Sequence, residues 1–153
     1  MWRGGGYKAG MGLQVAIGSD HAGYKLKEFI KDSFDVRWID CGTDDEKTSV
    51  DYPDFGHAVA RSVADGEAEF GIAVCGTGIG ISIACNRHQN IRAALCTDST
   101  MARLTRQHND ANILCMGERL TGTEVALDIV KTFLETAFEG GRHLKRIEKL
   151  DRE

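Results

Sequence analysis

Five short apolar runs alternate with amphipathic segments along this chain, and no other feature of the sequence restricts the fold as strongly. The runs are LQVAIGS (13–19), VRWIDCG (36–42), FGIAVCG (70–76), IRAALC (91–96) and ANILCMG (111–117). Between them, Leu26, Phe29 and Ile30 share one helical face, as do Phe55, Val59 and Val63, and Val125, Ile129 and Phe133 recur every four residues. Repeated βα units of this kind imply a small doubly wound α/β fold, a five-stranded parallel sheet with helices on both faces in Rossmann-like fashion. Strands covered on both faces should be nearly continuous in apolar residues, as these are. Pro53 is expected just before a helix start. The final segment, GGRHLKRIEKLDRE, opens on a glycine pair suited to a helix boundary. It places Leu144, Ile147 and Leu150 on one stripe and Arg142 and Arg146, four apart, on another. With so little apolar area, this helix is expected to lie against the body or at a subunit interface.

A chain of 153 residues fits one domain, large enough to bury roughly 70% of the surface its unfolded form exposes. No apolar run approaches the ~18 residues a membrane helix needs, so no membrane association is expected. A formal net charge of −4 argues against a general nucleic-acid binder, which needs a net basic surface to displace counterions. Cys41, Cys75, Cys85, Cys96 and Cys115 form an odd set without a CxxC pair. With no secretory signal beside them, they read as reduced thiols of a cytoplasmic protein. Residues 1–11, MWRGGGYKAGM, have no apolar core and read as a flexible extension. Residues 12–153 contain no repeat or linker and read as a single domain.

Ligands of an open α/β sheet gather at the C-terminal ends of its strands, and here those ends are rich in reactive groups. The first strand ends in Ser19-Asp20-His21, the third in Cys75-Gly76-Thr77-Gly78 and the fifth in Gly117-Glu118-Arg119, while the helix before the fifth ends in Gln107-His108-Asn109-Asp110. Each has an ordinary alternative. Asp20 suits a helix N-cap, His108 a favourable contact at a helix C-terminus, and Cys75 a small core residue. Their convergence on one sheet edge favours a single site. The loop GTGIG is spaced GxGxG, follows the third strand, and lacks an acidic residue ending a later strand, all of which depart from the dinucleotide fingerprint. A nucleotide-binding or flavodoxin-like module would also have no use for Cys75 and His108 together. Loop amides and the positive end of the following helix converge on Cys75, where they would favour a thiolate and hold a neighbouring oxyanion. Acyl transfer and proton abstraction next to a carbonyl both remain open on these grounds.

The motifs GSDHAGYKLK, DYPD, CGTGIGISIACN, IRAA, RQHNDANIL and GGRHLKR resemble, in order and spacing, the B-type ribose-5-phosphate isomerases, whose superfamily includes the galactose-6-phosphate isomerase subunits. The resemblance spans residues 13 to 147. It implies aldose–ketose isomerisation of a pentose phosphate through a cis-enediolate, without metal or cofactor, in a homodimer or tetramer with active sites shared across the subunit boundary. By position, Cys75 resembles the general base and His108 the residue that opens the furanose ring. Asp20 and Thr77 match positions around the sugar oxygens, and Gly76, Gly78 and Gly80 the loop whose amides hold the enediolate oxygen. His21, Arg119, Arg142 and Arg146 match phosphate-binding positions, the last two reaching into the neighbour's site; Tyr52, Ser82 and Asn109 match pocket positions. A 6-phosphohexose, allose or galactose 6-phosphate, is the alternative substrate on the same residues.

Overall fold

The computed structural model describes residues 12–152, so the segment 1–11 lies outside the described residues. All five apolar runs form strands: β1 (Gln14–Ser19), β2 (Arg37–Asp40), β3 (Phe70–Cys75), β4 (Ala93–Leu95) and β5 (Ile113–Gly117). They pair in parallel in the order β2-β1-β3-β5-β4. The three inner strands are almost wholly buried, whereas the edge strands β2 and β4 are only partly covered.

Among the described residues four helices fill the intervals, α1 (Tyr24–Ser33), α2 (Tyr52–Ala64), α3 (Ile79–Cys85) and α4 (Ser99–Asn109), and two follow β5, α5 (Thr123–Glu135) and α6 (Leu144–Asp151). Right-handed crossovers send helices between strands moving one way to one face and those moving the other way to the opposite face. The two cores agree. One is built from α1, α4 and α5 through Leu26, Ile30, Ala102, Ile129 and Phe133 against Val15, Ile17, Ile72 and Leu114. The other is built from α2 and α3 through Val59, Ala60 and Ile81 against Ala16, Ala73 and Ile113.

Several expectations about faces need correction. Phe29 and Val125 are 37% and 44% exposed. In α1 the buried stripe is rotated toward Lys27, and in α5 it is centred on Ala126, Ile129, Val130 and Phe133, which leaves both residues at its margin. Pro53 lies inside the first turn of α2 rather than ahead of it, where its missing N–H costs no hydrogen bond. Helix α6 rests on the body through Ile147 and an ion pair in which Asp151 accepts from Arg92 Nη1 at 2.9 Å, while Leu144 and Leu150 stay exposed. Arg142 belongs to a 3₁₀ turn ahead of α6, so only Arg146 stands on the helix itself.

Candidate active site

Strands β1 and β3 lie side by side, yet the chain leaves them in opposite directions across the sheet. A crevice opens at such a reversal beyond the carboxyl ends of the strands. A pocket of about 440 Å³ lies there, lined by Asp20, His21 and Ala22 after β1, Cys75, Gly76, Thr77, Ile79 and Gly80 after β3, Arg119 after β5, and Tyr52 at the start of α2.

The loop after β3 wraps its own thiol. Gly78 adopts φ +79°, a left-handed conformation that turns the chain from strand to helix and directs its N–H to Cys75 Sγ at 3.1 Å. Cys75 is 4% exposed and still opens into the pocket. Thr77 Oγ1 accepts from the Ile79 amide at 3.3 Å. A Cβ on Gly80 would meet the Tyr52 ring at 2.6 Å, so glycine there lets the phenol approach the first turn of α3. The Arg119 guanidinium covers Gly76 in the same way, 3.2 Å from where a side chain would begin.

The capping role and the pocket role of Asp20 coexist. Its Oδ1 accepts from Gly23 N at 3.0 Å, capping the 3₁₀ turn at His21–Gly23, and the same residue lines the pocket. His21 Nδ1 accepts from the Val50 amide at 3.1 Å. A neutral imidazole with that nitrogen occupied carries its proton on Nε2, leaving a donor for a ligand oxygen.

The remaining candidate residues lie apart. Ser82 donates its hydroxyl back to Ile79 O at 2.7 Å within α3. Asn109 lines a separate pocket with Arg92, Thr105 and Leu150. His108 stacks on His143, with centroids 4.5 Å apart. Arg142 and Arg146 act electrostatically on that same imidazole, whose pKa is lowered by desolvation first and then by Arg142 and His108. One chain therefore divides these residues between a thiol pocket and a cationic cluster at the α4–α6 end.

One supporting residue, Lys27, escapes sequence reasoning, and a second, Glu118, is placed by it only at the end of the fifth strand. Lys27, 1% exposed, donates to Asp40 Oδ1 at 2.8 Å and to Thr43 O at 2.7 Å. Burial raises the Asp40 pKa, but hydrogen bonds from Lys27, Lys31 and Gly42 outweigh it and hold the carboxyl below its usual range. That network anchors the segment running from β2 to Tyr52. Glu118 Oε1 accepts from Leu26 N at 2.7 Å, tying the end of β5 to the first turn of α1. The available signal for Lys27 was its position between Leu26 and Ile30, on the inward side of α1.

The sequence profile of the family described as Ribose/Galactose Isomerase matches residues 15–150. Ribose-5-phosphate isomerase B of Escherichia coli K12 is 45% identical over 141 residues, which cover 90% of this chain and 93% of that protein. Among solved structures, ribose-5-phosphate isomerase B of Clostridium thermocellum is 53% identical with a TM-score of 0.86, covering 91% of this chain and 95% of the other. The ribose 5-phosphate isomerase of Thermotoga maritima is 51% identical with a TM-score of 0.90, covering 92% and 99%.

Proposed function

This chain belongs to the ribose/galactose isomerase family, and from that premise we propose that it interconverts ribose 5-phosphate and ribulose 5-phosphate with Cys75 as the general base. The observation that carries the reading is Cys75 Sγ, held by the Gly78 amide at the mouth of a pocket that also presents Asp20, His21, Thr77 and Arg119. The thiolate takes the C2 proton of the open-chain aldose, and electrons shift into the C1–C2 bond to leave a cis-enediolate. The resulting thiol returns the proton to C1 while the hydroxyl proton passes from O2 to O1, leaving the carbonyl at C2. A base for this step must lie within hydrogen-bond reach of the carbon-bound proton and cycle near neutral pH, and a thiol can do both. Loop amides at Gly76 and Gly80 would carry the charge on the enediolate oxygen.

Phosphate, remote from the reacting carbons, supplies binding energy for orientation. His21 and Arg119 stand at the pocket for that purpose. His108, which would open the furanose ring, and Arg142 and Arg146 lie outside that pocket. The reading therefore requires a second copy of the chain to bring its cationic cluster over the thiol pocket, in a homodimer or a higher assembly. Asn109 would arrive with His108.

The test is conversion of ribose 5-phosphate in excess EDTA by wild type and by Cys75→Ala. Turnover is expected to survive EDTA and to fall by at least ~100-fold in the variant, with KM little changed. Near-wild-type turnover by the variant would remove Cys75 from the mechanism. Because one extra hydroxymethyl group changes discrimination by only ~1–3 kcal/mol, allose and galactose 6-phosphates belong in the same assay. A higher kcat/KM for either would assign the site to hexoses.

A further inference from the structure

His108 at the end of α4, Glu139 in the α5–α6 connection and His143 just before α6 bring two imidazole nitrogens and a carboxylate oxygen within 4.8 Å of one another. We propose that these three side chains bind a first-row divalent cation of the zinc type, and that the bound ion silences the enzyme by occupying His108.

The donor set has the right chemistry. Two imidazoles and one carboxylate, with coordination positions left for water, form a recurrent zinc set, whereas magnesium and calcium prefer all-oxygen cages. His108 Nε2 and Glu139 Oε1 are 3.7 Å apart, close to the roughly 3.4 Å that separates two ligands on a tetrahedral ion at ~2.1 Å. Glu139 is exposed, and its backbone is pinned to α4 by donation from Glu139 N to Gln107 O at 3.1 Å.

His143 supplies a second, separate indication. It is only 6% exposed, yet among the described residues its ring stacks on His108, meets Phe138 at a tilt and makes no hydrogen bond. Its ring nitrogens are not among the fully buried unpartnered atoms of the described residues, so they remain open to an incoming ion. Coordination in the plane of each imidazole would use the nitrogen lone pairs, beside the stacked ring faces rather than between them. The isomerisation proposed above uses no metal, and an ion held by His108 would take that imidazole away from ring opening, so the ion acts as an inhibitor. Inhibition rests on the ring-opening role proposed for His108; binding does not.

The experiment titrates EDTA-stripped protein with Co²⁺, followed by its visible absorption and by displacement with Zn²⁺, in wild type, Glu139→Gln and His143→Gln, with isomerase assays in parallel. One Co²⁺ per chain without a sulfur-to-metal charge-transfer band is expected, and Glu139→Gln should weaken it at least ~10-fold. Metal-free turnover of Glu139→Gln should stay close to wild type while its sensitivity to Zn²⁺ falls in step with affinity. Co²⁺ binding unchanged in Glu139→Gln, a thiolate band pointing to Cys75, or the absence of saturable binding would each overturn the proposal. Zn²⁺ bound at the cluster with turnover undiminished would overturn the inhibition, and with it the role of His108, while leaving the site in place.

Discussion

Of the five thiols, Cys75 alone lines the pocket beyond β1 and β3, and its surroundings differ from those of its fellows in a way that alkylation can read. Burial pushes the Cys96 thiol up to about 12, with Asp98 adding to the effect. Cys115 is raised by its contact with Cys85 and by burial, and Cys41 by burial and Asp40. Such thiols react slowly because the thiolate is the nucleophile. Cys85 is wholly buried, whereas Cys75 opens into the pocket, where a reagent can reach it, with the Gly78 amide on its sulfur. Iodoacetamide at neutral pH should therefore modify Cys75 ahead of the other four, with loss of activity tracking that one adduct and ribose 5-phosphate slowing it. Peptide mapping that found Cys41 modified first, with activity intact, would contradict this.

The packing of α2 on α3 includes a titratable contact. His57 Nδ1 and His88 Nε2 are 2.7 Å apart, joining α2 to the turn that follows α3, and Cys85 Sγ donates to Gly56 O nearby at 3.4 Å. One ring must donate and the other accept, so the pair is bonded only while at least one imidazole is neutral. The His88 pKa is lowered, by desolvation first and then by the charges of His57 and Arg61. A histidine with a depressed folded-state pKa binds fewer protons folded than unfolded. Its stability contribution is therefore present above the unfolded value of about 6.5 and is lost as pH falls through the lower folded value. Urea midpoints measured at pH 7.5 and 5.5 should fall on acidification in wild type and fall less in His88→Gln. The modest size expected, about 1 kcal/mol or less for a pair partly open to water, makes the difference between proteins the decisive quantity. Equal acid shifts in both would show that the contact is not the sensor.

For the whole molecule, the separation of the thiol pocket from the cationic cluster predicts complementation between chains. Cys75→Ala and the double variant Arg142→Ala/Arg146→Ala should each be nearly inactive alone. Mixed and allowed to exchange subunits, half of the dimers pair one of each, and each such dimer assembles one intact site. Activity should then recover to roughly a quarter of wild type, as isologous pairing requires. No recovery in a mixture shown to have exchanged would confine every site to one chain.

Much of this was legible along the chain. Five strands, the helical segments between them, the glycine loop and a cysteine at the end of β3 followed from periodicity and residue type, because each is set by neighbours within a few positions. Phe29 in α1 and Val125 in α5, each expected on its helix's inward stripe, lie at the margin of it, since a stripe's centre depends on the sheet it meets. Lys27 was invisible because a buried ammonium is acceptable only beside Asp40 and the Thr43 carbonyl, partners 13 and 16 residues away. Ser82 faces its own helix, which no spacing rule announces. The residue types of the site and the succession of elements were thus determined by sequence alone. Only the tertiary structure decided that β1 and β3 are neighbours with a crevice between them, and that His143 folds back onto His108. Both depend on contacts between distant segments, whose free energy comes from mutual burial and leaves no local pattern to read.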